Sequence, residues 1–410
     1  MMRITQNMLK NDVVYNLNVH QRNLDDLQNN LSTGKKVRLP RENPIAATHS
    51  MLYRTRIQEI RKFIDNIEEG ETRLNFAENG IRSIVDIFHR LEEITVQGAN
   101  GIYTKEDREK IAVEIDELLK EIVEIANSKF KGEAIFGGYQ ININPFEVLK
   151  SKPGYADREV ITKVLYKGDI GQHQREIEQQ EYAPVNLPGN VVFWATNEVI
   201  MGNTNVANYT SARNQKIRID GKEILINAGD NINIIIDKIN NANIPVRASL
   251  RNNQFVIETT TPHELWMEDI EGGTFLQEIG LKIAGQRPNE FSNNTKKIGY
   301  SIFDVVIKIR DDLWKNDVKA LGSEDLNFLR HGLDNLLKAL GEIGARSHRF
   351  LVVKKKLNMD ELDMTDILAK TENIDVAKTV MDLQMLEYIH RSALAVGARI
   401  IRPTLMDFLR

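Results

Sequence analysis

Eight histidines are the natural place to look for chemistry in this chain, at positions 20, 49, 89, 173, 263, 331, 348 and 390. No two stand four residues apart, so no single helix presents the paired imidazoles of a zinc site. His263-Glu264 lacks the second histidine that a metalloprotease helix needs. Cysteine is absent, which removes disulfides, thiolate metal sites and thiol nucleophiles. No GxxxxGK[ST] or GxGxxG loop is present to cradle phosphate, and no GxSxG elbow to present a serine. The acidic pairs Glu92-Glu93 and Asp311-Asp312 fall in helical stretches and read as solvated faces. Asn208-Tyr209-Thr210 and Asn293-Asn294-Thr295 fit the glycosylation tripeptide, a pattern common by chance. The sequence offers no catalytic, cofactor or metal constellation, and the chain reads as a non-enzyme without a cofactor.

With no chemistry to position, the elements themselves carry the argument. The chain has 410 residues, 41% of them apolar, 27% charged, with a net charge of −4. That is enough for several domains and too balanced for a nucleic-acid binder, which would show a basic stripe. No apolar run approaches a membrane span, and the first residues have no apolar signal core. The chain is therefore expected in the cytoplasm or exported without a cleaved signal, with neither nucleic acid nor membrane as partner.

Both ends carry helical periodicity. Val13, Leu17, His20, Leu24, Leu27 and Leu31 alternate spacings of four and three, a coiled-coil seam with one polar interruption at His20. Gly34 supplies a left-handed stop. A basic loop, Lys35-Lys36-Val37-Arg38-Leu39-Pro40-Arg41, leads to Asn43-Pro44, an N-cap followed by proline at the first helical position. From there a helix of about fifty residues, roughly 75–80 Å long, is expected to reach Gln97, with positions 57, 60, 64, 67, 71, 74, 78, 81, 85 and 88 as its seam. Ile111, Ile115, Leu118, Ile122 and Ile125 mark an antiparallel return helix. Periodicity resumes at Ile302, continues through Leu326, Leu329, Leu333, Leu336, Leu340 and Ile343, and returns from Ile374 to the end.

The middle changes character at Phe136-Gly137-Gly138-Tyr139. Val160–Tyr166 reads as a strand. A βαββ unit is expected over 216–284, with hairpin turns at Asp220-Gly221 and Asn252-Asn253 and Asp230 capping a helix whose buried face is Ile232, Ile235, Ile236 and Ile239. The fold class is mainly α with a β-rich middle: a long antiparallel helical or coiled-coil rod formed by both chain ends, with inserted α+β domains.

Several stretches resemble the flagellin superfamily, and within it the hook-associated protein 3 type. Met2-Arg3-Ile4-Thr5 is similar to that family's start. Leu31-Ser32-Thr33-Gly34-Lys35-Lys36-Val37 with Pro44-Ile45-Ala46-Ala47 is similar to its best-preserved block. Phe136-Gly137-Gly138-Tyr139, Tyr166-Lys167-Gly168-Asp169 and Asn186-Leu187-Pro188-Gly189 resemble features of its turn and variable domain. Lys238-Ile239-Asn240-Asn241 and Val246-Arg247-Ala248 resemble a repeat shared across the superfamily. Ala393 to Ile401, with Thr404-Leu405-Met406-Asp407-Phe408-Leu409, is similar to the C-terminus of this type. The loop Arg38-Leu39-Pro40-Arg41-Glu42-Asn43 departs from a family loop rich in serine and aspartate.

The resemblance implies a structural subunit of the bacterial flagellum, exported through the type III route and placed between hook and filament. Its partners would be identical copies in a ring, the first hook-associated protein, flagellin and an export chaperone. Flagellin itself, the bulk filament subunit, is the alternative. The expected organisation is an assembly helix at 1–44, rod helices at 45–140 and 301–365, a β-rich middle at 141–300, and a second assembly helix at 366–410. The expected interface residues are Val13, Leu17, Leu24, Leu27, Leu31, Ile374, Ala377, Met381, Leu405, Phe408 and Leu409. Seven asparagines between positions 7 and 30 disfavour an autonomous helix, so both ends are expected to order only on assembly.

Overall fold

The computed structural model describes residues 6–155 and 158–400. Contacts divide the chain into two compact units, one from stretches 1–64 and 354–410, the other from 65–353. The first contains α1 (Gln6–Thr33), the start of α2 (Pro44–Ala99), the end of α9 (Leu326–Glu372) and α10 (Val376–Ile400). Helix α1 stops at Gly34, whose φ of +70° is the expected left-handed cap. Asn43 opens α2 by accepting the Ala46 N–H at 3.0 Å, with Pro44 the first helical residue.

In the second unit, α2 packs with α3 (Lys105–Ala126), α7 (Ile302–Lys315) and the first turns of α9. Thr104 and Asp107 cap α3 reciprocally, as Ser301 and Asp304 do for α7. The short helix α8 (Val318–Ala320) and a π segment, Leu321–Asp325, precede α9. Arg108, 4% exposed, donates to Gly98 O in the last turn of α2 at 2.8 Å and to Asn100 O just beyond the helix at 2.9 Å. Carbonyls of a last helical turn have no partner within their own helix.

The buried seam of α2 follows the expected one at 57, 60, 67, 74, 81, 85 and 88 but departs from it at two turns. It runs Ile60, Phe63, Ile67, Gly70, Leu74, Ala77, Ile81, Ile84, Phe88 and Leu91. Gly70 and Ala77 stand where Glu71 and Glu78 were placed, one residue away. At Gly70 an added Cβ would lie 2.7 Å from Val185 Cγ1 and 3.1 Å from a Phe350 ring carbon. The seam passes through small residues there because another element approaches closely, and a count of large apolar side chains overlooks them.

The β-rich middle holds thirteen strands among the described residues. Short β1 (Lys129–Phe130) and β2 (Glu133–Ala134) form one hairpin, β3 (Phe146–Ser151) and β4 (Val160–Tyr166) a second, and β5 (Gln174–Glu178) and β6 (Glu181–Pro184) a third. After α4 (Gly189–Val192) come β7 (Val199–Asn205), β8 (Gln215–Ile219), β9 (Lys222–Ile226), α5 (Ile232–Asn240), β10 (Val246–Arg251), β11 (Gln254–Thr259), β12 (Met267–Ile270), α6 (Phe275–Glu278) and β13 (Lys296–Ile298). The unit expected at 216–284 is split between two antiparallel sheets, β12-β8-β9 and β10-β11-β7-β13, sharing the isoleucine face of α5. The turns fall where expected: Asp220, Gly221, Asn252 and Asn253 all have positive φ. The cap of α5 is Asn231, which accepts the Ile234 N–H at 2.9 Å. Asp230 instead accepts the Asn227 N–H at 2.7 Å and pairs with Lys238.

Candidate functional site: the paired terminal helices

The coiled-coil seam of α1 has a partner inside its own chain. Helix α10 presents Thr379, Leu383, Leu386, His390, Ala393 and Gly397, again at spacings of four and three, all buried or half-buried. Gly397 receives the far end of α1. An added Cβ there would meet Val13 Cγ1 at 2.9 Å and Leu17 Cδ1 at 3.9 Å. At the other end, Ile374 N donates to Gly34 O at 3.1 Å and Lys36 N to Glu372 O at 2.8 Å. The helices therefore run antiparallel.

The closed end is locked by charge. Glu372, 5% exposed, accepts both hydrogen bonds from Arg54 Nη2, at 2.6 and 2.7 Å, and pairs with Lys35. Burial pushes its carboxyl up, but the Arg54 and Lys35 bonds dominate and hold it below the usual range. The basic loop folds on itself, Arg38 N and Leu39 N donating to Glu42 at 2.8 and 3.3 Å.

Val13, Leu17, Leu24, Leu27 and Leu31 thus share the face of α1 turned to α10, with Leu24 the most enclosed at 7% exposed. Ile374 is half-buried in the turn before α10. Ala377 and Met381 lie on the opposite, exposed face of α10. Leu405, Phe408 and Leu409, the Met2-to-Thr5 start and the ending at 404–409 lie outside the described residues. The sequence reading missed that Met385 and Tyr388, 65% and 74% exposed, continue the stripe of Ala377 and Met381. Their spacing of four, four and three residues was the available signal.

In the β-rich middle, three of the motifs singled out in the sequence converge. Tyr166 Oη lies 2.9 Å from Phe136 O and 2.7 Å from Asp169 O, and accepts from Gly189 N at 3.2 Å. Gly189 N also donates to Phe136 O at 2.8 Å. Asp169 Oδ1 accepts the N–H groups of Tyr139 and Gly171 at 2.7 and 2.8 Å. Gly189 has no room for a side chain: an added Cβ would lie 2.8 Å from both Phe146 Cζ and Tyr166 Cε2.

Other clusters are structural in character. Arg310, fully buried, donates to Asp116 Oδ1 at 2.8 Å and to Asp311 Oδ1 at 2.8 and 3.1 Å. Asp311 also accepts from Tyr155 Oη at 2.6 Å, and Asp312 from Lys308 at 2.9 Å. The expected solvated pair is therefore engaged in the packing around α7. Buried Glu198 and Glu264 share Lys297 Nζ at 2.7 and 3.5 Å. Burial pushes the Glu264 carboxyl up to about 7, against the pull of Lys297. Among the described residues no three side chains of metal-ligating type converge, and no helix is long and apolar enough to cross a membrane.

These features define a class: a protein whose terminal helices pair in an antiparallel seam and whose centre is a β-rich insertion. Residues 4–141 match the family described as the bacterial flagellin N-terminal helical region. The flagellar filament 30.7 kDa core protein of Treponema maltophilum is 32% identical over 120 residues, 28% of this chain and 42% of that protein. Flagellar hook-associated protein 3 of Salmonella typhimurium is 23% identical over 147 residues, 36% of this chain and 46% of that protein. The chain thus matches less than half the length of either relative. A solved structure of hook-associated protein-3 from Legionella pneumophila, 19% identical, covers 78% of this chain and 97% of its own, with a TM-score of 0.46. Over its N-terminal region the chain is thus similar to flagellar structural proteins of the flagellin and hook-associated types.

Proposed function

We propose that this chain is a non-enzymatic structural subunit of the bacterial flagellum, located where the hook meets the filament. In this reading it travels unfolded through the type III export route, its C-terminal helices held by a chaperone beforehand. It then joins a ring of identical subunits between the first hook-associated protein and flagellin. Segments 1–44 and 366–410 act as the assembly elements, 45–140 and 301–365 as the rod, and 141–300 as the outer part. Burial of terminal-helix surface supplies the assembly free energy, and no catalysis is required.

The observation that carries the junction reading is the knot in which Phe136, Tyr139, Tyr166, Asp169 and Gly189 meet. The three motifs likened to the junction type are one hydrogen-bonded feature, not three unrelated tetrapeptides. The alternative, a filament subunit, is favoured by the higher identity to the treponemal filament core protein, 32% against 23% for the hook-associated relative. Immunogold electron microscopy of isolated flagella with antibody to residues 141–300 separates the two. A narrow band of label at the hook–filament boundary is expected. Label along the whole filament would establish the flagellin reading instead.

A further inference from the structure

We infer that the turn leaving α2 is a self-modifying site, where Asn100 and Gly101 close to a succinimide that opens to isoaspartate or aspartate without an enzyme. The dipeptide Asn-Gly occurs twice in the chain, at 79–80 and at 100–101. In the reaction the glycine nitrogen is the nucleophile and the asparagine side-chain carbonyl carbon the electrophile. The bond from Gly101 N to Asn100 Cγ forms, the Cγ–Nδ2 bond breaks, and ammonia leaves carrying the proton from Gly101 N. Water then opens the ring at either carbonyl.

The two pairs stand in opposite settings. Asn79 and Gly80 lie inside α2, where the helical ladder occupies the glycine N–H and each side chain leans back towards the N-terminus, away from the next amide. Asn100 and Gly101 are exposed, beyond the helix end. Among the described residues nothing accepts the Gly101 N–H, and nothing lies within 4 Å of an added Cβ at Gly101. The surrounding bonds assist both reacting groups. Arg108 Nη2 donates to Asn100 O at 2.9 Å, as Tyr103 N does at 3.3 Å. That carbonyl is conjugated to the Gly101 nitrogen, so a guanidinium against it stabilises the negative charge left as the N–H is lost. Arg108 is itself anchored by Gly98 O and Asn316 Oδ1, each accepting at 2.8 Å. Asn100 Oδ1 accepts the Ile102 N–H at 3.2 Å, an Asx turn. This donor polarises the carbonyl under attack and bonds the oxyanion that develops on it. An isoaspartate adds a methylene to the backbone where Arg108 ties it down. Either product sets a carboxylate beside Ile102, which is 85% exposed.

Incubation of the full-length protein at pH 8, folded or unfolded in urea, tests this. Peptide mapping by mass spectrometry follows the loss of amide at residues 79 and 100, and labelling by an isoaspartyl methyltransferase identifies the rearranged product. In the folded protein residue 100 should convert about 100-fold faster than residue 79, the scale on which misplacing a reacting pair slows it. It should also convert at least as fast as in the unfolded chain, where the two sites should react alike. Gly101→Ala, for which the structure has room, should suppress conversion at residue 100 in the folded protein. The inference is overturned if folded protein keeps the Asn100 amide while the unfolded chain loses it, or if residues 79 and 100 convert equally in the folded protein.

Discussion

Replacing Leu24 and Leu31 together by aspartate strikes the α1–α10 seam while leaving residues 65–353 untouched. Leu24 is 7% exposed and Leu31 half-buried. Full burial of a leucine is worth about 1.5–3 kcal/mol, so the two side chains together contribute about 3–4 kcal/mol to helix pairing. Loss of that amount weakens pairing roughly 100- to 1000-fold, before any cost of placing carboxylates against α10. The second unit supplies its own optical reporters. Trp194, Trp266 and Trp314 all lie within it and are at most 8% exposed. The urea transition followed by tryptophan fluorescence should therefore match wild type within about 0.5 kcal/mol, the usual range for remote changes. A strain carrying only this variant should fail to incorporate it into flagella. Two results would refute the reasoning. A large shift of the tryptophan transition would mean the second unit depends on the terminal seam, and normal flagella would mean the seam has no part in assembly.

Arg310→Met should destabilise the second unit by about 3 kcal/mol, near the lower end for breaking a buried pair. Asp116 would keep partly exposed Arg158 and Lys120, each at 3.2 Å. Adding Asp116→Leu should recover much of that loss, and strictly additive urea midpoints would disprove the coupling. The second unit should also be firmer at pH 6 than at pH 8. Folded Glu264 keeps its proton up to about 7 while the unfolded side chain loses it near 4.5. The folded state thus binds more protons across that window, and stability falls as pH rises through it. Burial disfavours the charge on His263, but Asp220 and Thr261 outweigh it and raise its pKa, so its contribution is present at low pH and fades as pH climbs through the raised value. Glu264→Gln should flatten the slope of urea midpoint between pH 5 and 7, and an unchanged slope would remove Glu264 as its source.

Features set by local rules were legible in the sequence. Gly34, Asn43-Pro44, the strand at 160–166 and the turns at Asp220-Gly221 and Asn252-Asn253 each follow from a few adjacent residues. Errors arose where a distant partner decides the matter. At Gly70 and Ala77 the buried line of α2 runs one residue from the expected Glu71 and Glu78, because close packing, not side-chain hydrophobicity, selects small residues there. Asp230 and Asn231 both suit a cap, and only Lys238 and the Asn227 amide show which role each takes. Arg310 and Asp116 lie 194 residues apart, and neither sequence context marks a buried ion pair. The convergence of three motifs on Tyr166 was equally hidden, since sequence order says nothing about which loops share hydrogen bonds.

The placement of the seam also changes what an assembly argument must explain. Five residues proposed as intermolecular contacts face α10 of the same chain, so their first task is to pair the two ends. The apolar surface left over on α10 is its other face, Ala377, Met381, Met385 and Tyr388, with Met381 63% exposed. Four residues in such a stripe, with no cover from the described residues, exceed the scattered single apolar side chains normal at a protein surface. A charge at Met385 should therefore leave α1–α10 pairing intact yet hinder joining of copies, whereas a charge at Leu24 should disrupt both. Separating those two outcomes, by helix protection in the free chain and by incorporation in the cell, distinguishes a seam that builds the subunit from a face that joins subunits.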